Sequence, residues 1–222
     1  MATDPRWTAV DSYFVDHLLT PDADLEQALT DSADGGLPSI SVTALQGKFL
    51  QLLARSSGAQ RILEIGTLGG YSTIWLARAL SAGGNLVTLE ISTKHADVAR
   101  ANIARAGLTD RVEVIVGPAR DTLRQLADEH AAPFDFIFID ADKESSAPYF
   151  TAALALSRSG TLIVVDNVVR DGEVADAASS HRGVVGVREL IAQLQHERRV
   201  EATALQMVGA KGYDGMLLAI VN

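Results

Sequence analysis

Apolar positions along the chain follow two rhythms. Trp7, Val10, Phe14 and Leu18 recur at spacings of three and four, and so do Val42, Leu45, Phe49, Leu52 and Leu53. Both patterns predict helices, over residues 5–20 and 39–55, with a shorter one over 24–33 between them. Ser56-Ser57-Gly58 stops the third helix. From residue 60 short apolar runs alternate with helical stretches. Strands are predicted at 61–65, 86–89, 111–116, 134–139 and 161–165, with helices at 72–80, 93–106, 119–130, 146–158 and 184–197. Two last apolar runs, 200–208 and 215–221, flank Gly209-Ala210-Lys211-Gly212-Tyr213 and suit a hairpin. Strand–helix alternation implies an α/β fold, a mostly parallel sheet covered on both faces, with one terminal strand antiparallel. No repeat or linker interrupts it. The chain reads as one domain, its N-terminal helices, 1–56, covering the site or packing on the sheet formed by 60–222.

Several of these apolar runs end abruptly in polar residues. Phe138-Ile139 leads into Asp140-Ala141-Asp142-Lys143, and Val164-Val165 into Asp166-Asn167. Ligands of such sheets bind beyond the carboxyl ends of the strands. If these two strands are neighbours, two carboxylates and an amide oxygen meet. That donor set suits Mg²⁺ or Ca²⁺, whereas zinc would call for His or Cys. The alternative is that the acids cap helices and bind water. Lys143, three residues past Asp140, can return to the same place and act as general base, or pair with Asp142 or Glu144 in solvent. Asp135 is expected to face solvent.

The loop after the first strand reads Glu64-Ile65-Gly66-Thr67-Leu68-Gly69-Gly70-Tyr71-Ser72. Gly66 permits a tight turn, and Gly69-Gly70 permit close approach of a ligand. Glu90, twenty residues past Gly70, can accept the hydroxyls of a ribose. The dinucleotide spacing G-x-G-x-x-G is absent, and so is a Gly-Lys-Ser/Thr P-loop. With an acid at Glu64, a cationic nucleoside such as S-adenosylmethionine fits better than a pyrophosphate. Gly117-Pro118-Ala119 leaves a slot for a flat base, Tyr71 can pack beside the cofactor's methionine end, and His95 is placed to brush a base ring. Trp75 suits core packing.

Bulk composition narrows the partners. With 222 residues, 47% of them hydrophobic, the chain can bury a sizeable core. The absence of cysteine removes disulfides, thiolate nucleophiles and Cys-built metal sites. A formal charge of −9 with no basic block disfavours nucleic acid. The opening Met-Ala-Thr-Asp-Pro-Arg-Trp shows no leader, and no apolar stretch is long enough for a membrane span. A cytoplasmic location is expected.

Taken in order, Gly66-Thr67-Leu68-Gly69-Gly70-Tyr71-Ser72, Phe138 to Lys143 and Val165-Asp166-Asn167 with Gly172 behind resemble the cation-dependent O-methyltransferases, which include catechol and caffeoyl-CoA enzymes. The resemblance runs from about residue 35 to the end. It implies the Rossmann-like class I methyltransferase fold with a seven-stranded sheet, metal ligands at Asp140, Asp166 and Asn167, and Lys143 as catalytic base. It implies ribose binding by Glu90 and cofactor contacts at Gly66, Ser72, Ala119 and near Val42-Thr43. Glu64, Tyr71, Gly117 and Asp140 complete the expected cofactor set. The cofactors would be S-adenosyl-L-methionine and a divalent cation, Mg²⁺ first, with Ca²⁺ or Mn²⁺ as alternatives. The acceptor would be a small catechol-like or phenolic hydroxyl, and the assembly a homodimer. Ala178 to Val185, poor in aromatics, is expected to line or cover the acceptor pocket. Rival readings are methylation of a hydroxylated RNA base, a nicotinamide oxidoreductase, and a non-catalytic S-adenosylmethionine-binding protein.

Overall fold

A computed structural model describes residues 4–222; Met1-Ala2-Thr3, part of the stretch read as lacking a leader, lie outside the described residues. Among the described residues eight α-helices and seven strands follow one another in the order the pattern predicts. They are α1 (Pro5–Leu18), α2 (Ala23–Asp34), α3 (Ala44–Ser56), β1 (Arg61–Ile65), α4 (Tyr71–Ala77), β2 (Asn85–Glu90), α5 (Thr93–Arg105), β3 (Val112–Val116), α6 (Ala119–Asp128), β4 (Phe134–Ile139), α7 (Ser146–Ala155), β5 (Ser157–Asp166), α8 (Arg182–Leu194), β6 (Val200–Gly209) and β7 (Gly212–Val221). No helix among the described residues is long and apolar enough to cross a membrane.

The sheet order is β3-β2-β1-β4-β5-β7-β6. Six strands run one way, and β7 lies antiparallel between β5 and β6. From β1 the chain steps outward to β2 and β3, then returns to place β4 on the other side of β1. That reversal opens a crevice at the carboxyl ends of β1 and β4. Strand alternation sends successive side chains to opposite faces. Leu63, Ile65, Ile137, Ile139, Ile163 and Val165 meet Leu123 of α6, Phe150 of α7 and Leu190 of α8 in one core. Ile62, Phe136, Phe138, Val164 and Met216 meet α2, α3, α4 and α5 in the other.

The N-terminal helices differ in how they are held. Leu25 and Ala28 of α2 and Leu50 and Ala54 of α3 are buried in the second core. Gly47 lets α3 press onto α4, since a Cβ there would stand 2.3 Å from the Trp75 ring. Trp75 is buried, as its expected packing role requires. Helix α1 buries no residue fully: Trp7 and Val15 are half-buried, and Val10, Phe14 and Leu18 of its apolar face are exposed. Helix α3 starts at Ala44 rather than 39. Thr43 caps it reciprocally with Gln46, the backbone N–H of Gln46 donating to Thr43 Oγ1 and that of Thr43 to Gln46 Oε1. Residues 39–43 are thereby left outside the helix.

Two other expectations are corrected. Strand β5 begins at Ser157, not 161, and its register against β4 shifts between Phe134 and Phe136. Gly160, at φ +85°, absorbs the irregularity. Asp135 does not face solvent. It is buried, and its carboxylate accepts the backbone N–H groups of Gln60 and Arg61 at 2.9 Å each and the Arg158 guanidinium at 2.5 Å. Burial alone would raise its pKa, but these donors outweigh it and hold the carboxyl below its ordinary value. It thus ties the starts of β1, β4 and β5 together.

Candidate active site

The motifs that end β1, β2, β4 and β5 lie at the carboxyl edge of the parallel strands, around two adjoining cavities of about 650 and 660 Å³. The first sits over the crevice between β1, β2 and β4. Gly66, at φ +104°, turns so tightly against the start of the β4 loop that a Cβ would lie 2.2 Å from the Asp140 carbonyl oxygen. The turn continues through Leu68 at φ +49° and Gly70 at φ +83°. Glu90 fixes it from the side: one carboxylate oxygen accepts the Leu68 N–H at 2.8 Å, the other the Ser92 N–H at 2.9 Å. His95 Nδ1 stands 3.4 Å from the same carboxylate. Val42, Gly66, Tyr71, Ser72, Glu90 and Ala119 all line this cavity, as do Asp140 and Lys143.

Four residues expected at the ligand are placed differently. Glu64 shares the sheet face of Ile62, so its side chain points under α4 and is fully buried away from the cavity. There it accepts hydrogen bonds from Ser72 Oγ at 2.6 Å, Thr73 Oγ1 at 2.5 Å and Thr88 Oγ1 at 2.7 Å. Burial dominates these donors and pushes the carboxyl up to about 7, with the nearby Asp140 charge adding to the rise. Gly117 turns at φ +154° beside the cavity without lining it; Ala119 takes that place. Gly69 and Gly70 accommodate protein rather than a ligand. A Cβ on Gly69 would strike Ser32 and Leu37, and one on Gly70 would meet Ala99 at 3.3 Å.

The acids meet as predicted. Ile139 pairs with Val165 across β4 and β5, so Asp140 and Asp166 leave neighbouring strands side by side. Asp166 is buried and accepts the Asn167 backbone N–H at 2.7 Å. Burial, then the Asp140 charge, raises its carboxyl to about 7, against the pull of Lys143. Asn167, at φ +60°, lines both cavities, and Asp166 lines the second. Lys143 Nζ donates to Asp140 Oδ1 at 2.6 Å. Its backbone is buttressed by α8: a Cβ on Gly186 would lie 2.3 Å from the Lys143 carbonyl oxygen. The stretch 178–185, expected along the acceptor pocket, lines neither cavity; its Gly183 packs on the Lys143 side chain instead. Among the described residues no group of three acidic, histidine or cysteine side chains gathers to hold a metal; the oxygen donors at this junction are the Asp140 and Asp166 carboxylates and the Asn167 amide, of the hard kind that Mg²⁺ or Ca²⁺ takes.

Residues that the sequence did not flag complete the walls. Ile40 and Ser41, in the segment before α3, line both cavities beside the expected Val42, and so does Arg170. Arg170, Asp171 and Gly172 are consecutive residues with positive φ, 54°, 58° and 85°. Asp214 braces this turn by accepting the N–H groups of Val169 and Arg170 at 3.0 Å. Arg170 Nε is buried without a partner among the described residues. Exposed Ile91, directly after Glu90, walls the first cavity; Lys211, on the β6–β7 turn, walls the second. Burial pulls the Lys211 ammonium pKa down, partly offset by the Asp140 and Asp166 charges. A run of non-glycine residues in the left-handed region leaves no trace in composition, and a lysine in a Gly-rich turn reads as solvated.

Such a sheet, with a glycine turn and the Glu90 carboxylate beside a cluster of oxygen donors, has the architecture of the nucleoside-binding α/β enzymes of the Rossmann-like class. The comparisons specify it further. Residues 21–220 match the O-methyltransferase family. The chain is 56% identical over 214 residues to a catechol O-methyltransferase of Niastella koreensis, covering 96% of this chain and 97% of that one. It superposes on the O-methyltransferase from Bacillus cereus, solved with SAH, with a TM-score of 0.97 at 57% identity, covering 98% and 99% of the two chains. TomG from Streptomyces achromogenes, an O-methyltransferase of tomaymycin synthesis solved with SAM, gives 0.96 at 48% identity over the full length of both. The chain belongs to the S-adenosylmethionine-dependent O-methyltransferase family.

Proposed function

We propose that this enzyme methylates one hydroxyl of a small catechol-like acceptor, with a divalent cation, Mg²⁺ first, and with Lys143 as general base. The observation that carries the reading is the position of Asp140, Lys143, Asp166 and Asn167 at the junction of the two cavities. The first cavity takes the methyl donor. Glu90 holds the ribose, Ile91 and Ala119 flank the base, and Val42, Tyr71, Ser72 and Asp140 receive the methionine end. Glu64 acts from beneath by fixing the Ser72 hydroxyl, and Gly66 and Gly117 shape the turns. The second cavity takes the acceptor, between Leu45, Phe49 and Met207.

Asp140, Asp166 and Asn167 would hold the cation, which when bound supplies positive charge to a developing phenolate and selects acceptors with two adjacent oxygens. Lys143 takes the hydroxyl proton on Nζ. The acceptor oxygen then forms its bond to the methyl carbon as the carbon–sulfur bond breaks, and sulfur keeps the electron pair. Alignment across the junction and fixed charge carry the rate; no covalent enzyme intermediate is needed. The uncovered apolar face of α1 and the edge strand β6 fit a homodimer.

The deciding assay is transfer of labelled methyl from S-adenosylmethionine to a panel of catechols and monophenols, with Mg²⁺, with EDTA, and in Lys143→Ala and Asp140→Ala. The reading expects product from vicinal diols only, lost with EDTA and in both variants. Product that survives EDTA removes the cation from the mechanism.

A further inference from the structure

No residue of α1 is fully buried, yet one of its side chains reaches the site. Asp11 Oδ2 accepts the backbone N–H of Ala210 at 2.8 Å, 199 residues away in sequence. Ala210 and Lys211 are the two turn residues between β6 and β7, whose last paired residues are Gly209 and Gly212. The first turn residue of a two-residue hairpin has no partner for its N–H in the strand ladder. Without Asp11 that group would turn to water, and the turn would be free to rock. The fit extends to the next residue, because a Cβ on Gly209 would lie 2.5 Å from the same Asp11 oxygen. Asp11, Gly209, Ala210 and Lys211 are all part of the second cavity's wall, which also contains Asp166 and Arg170.

We infer that Asp11 is a positioning residue for acceptor binding: by holding the Ala210 N–H it fixes the β6–β7 turn, and Lys211 with it, as one wall of the second cavity. The inference rests on the reading of that cavity as the acceptor site. It makes α1 a clasp on the acceptor side, attached by one hydrogen bond to a carboxylate, while the donor cavity is untouched: Asp11 and residues 207–214 do not line it.

The test compares Asp11→Ala, Asp11→Asn and Lys211→Met in the full chain. Steady-state methylation of a vicinal diol gives acceptor KM and kcat, SAH titration gives donor affinity, and amide hydrogen exchange follows Ala210. Loss of a hydrogen bond to a charged acceptor should raise the acceptor KM by about tenfold in Asp11→Ala. SAH affinity should stay the same and Ala210 exchange should quicken. Asp11→Asn keeps an acceptor oxygen and should restore both KM and exchange. Adding Asp11→Ala to Lys211→Met should raise KM no further, since both act through one wall. An unchanged KM in Asp11→Ala, equal losses in the Ala and Asn variants, or a parallel fall in SAH affinity would overturn the inference. If the unaltered enzyme binds SAH but methylates no diol, the acceptor reading itself fails. In that case slow exchange at Ala210, unchanged in Asp11→Ala, would overturn the tether too, and quickened exchange would support it.

Discussion

Replacing Glu64 with Gln asks whether burial or hydrogen bonding decides the state of the carboxyl beneath the donor cavity. In the folded protein Glu64 is raised from 4.5 to about 7, burial outweighing three hydroxyl donors. The folded chain therefore keeps a proton that the unfolded chain releases, and stability falls as pH rises through that window. Each pH unit of such a rise is worth about 1.4 kcal/mol, so between 4.5 and about 7 the cost reaches about 3 kcal/mol. Gln stays neutral throughout, and whatever it loses in hydrogen bonding is the same at every pH. Other titrating groups, Asp166 among them, cancel in the difference between the two proteins. Urea unfolding of both at pH 5, 6, 7 and 8 should thus show the Glu64→Gln variant gaining on the parent as pH rises, by about 2–3 kcal/mol in total. A difference that stays flat would refute the reasoning: the three hydroxyls would then be strong enough to keep the carboxylate ionised in the interior.

Gly66→Ala should abolish SAH binding in calorimetry, because its Cβ would meet the Asp140 carbonyl oxygen at 2.2 Å and that backbone cannot yield without moving Asp140. Asp135→Ala, by leaving the Gln60 and Arg61 N–H groups and the Arg158 guanidinium unpaired, should cost about 2–4 kcal/mol in urea unfolding. If Asp166 holds the proposed cation, divalent-cation affinity should fall as pH drops below about 7, since Asp166 must give up a proton first; titrations with Mg²⁺ in two buffers of different ionisation enthalpy should register that proton's release.

Much of this arrangement could be read from the sequence because it depends on where apolar runs stop. Asp140, Asp166 and Asn167 follow the last apolar residues of their strands, and position alone carries them to the sheet edge. Orientation within a strand was harder to read. Strands β1 and β4 are buried on both faces, so they lack the alternation that would have shown Glu64 pointing under α4. Asp135 looked like a solvent-facing interruption of Phe134-Asp135-Phe136, yet its partners come from residues 60, 61 and 158, contacts no local pattern encodes. Gly69 and Gly70 show the same ambiguity in another form, for a missing Cβ admits a neighbouring helix as readily as a ligand. The periodicity of α1 was correct, but periodicity does not say what covers a face.

The short segment before α3 has a further consequence, for how this enzyme can change over evolution. Ile40, Ser41 and Val42 are a wall common to both cavities, whereas Leu45, Phe49, Met207 and Val208 belong to the second alone. Substitutions in the shared wall alter two binding surfaces at once and are constrained by both. Those at the far end are answerable to one ligand only. With the cavities assigned as proposed, acceptor range can drift through the latter four positions while the donor site stays intact, and divergence among enzymes of this architecture should be concentrated there.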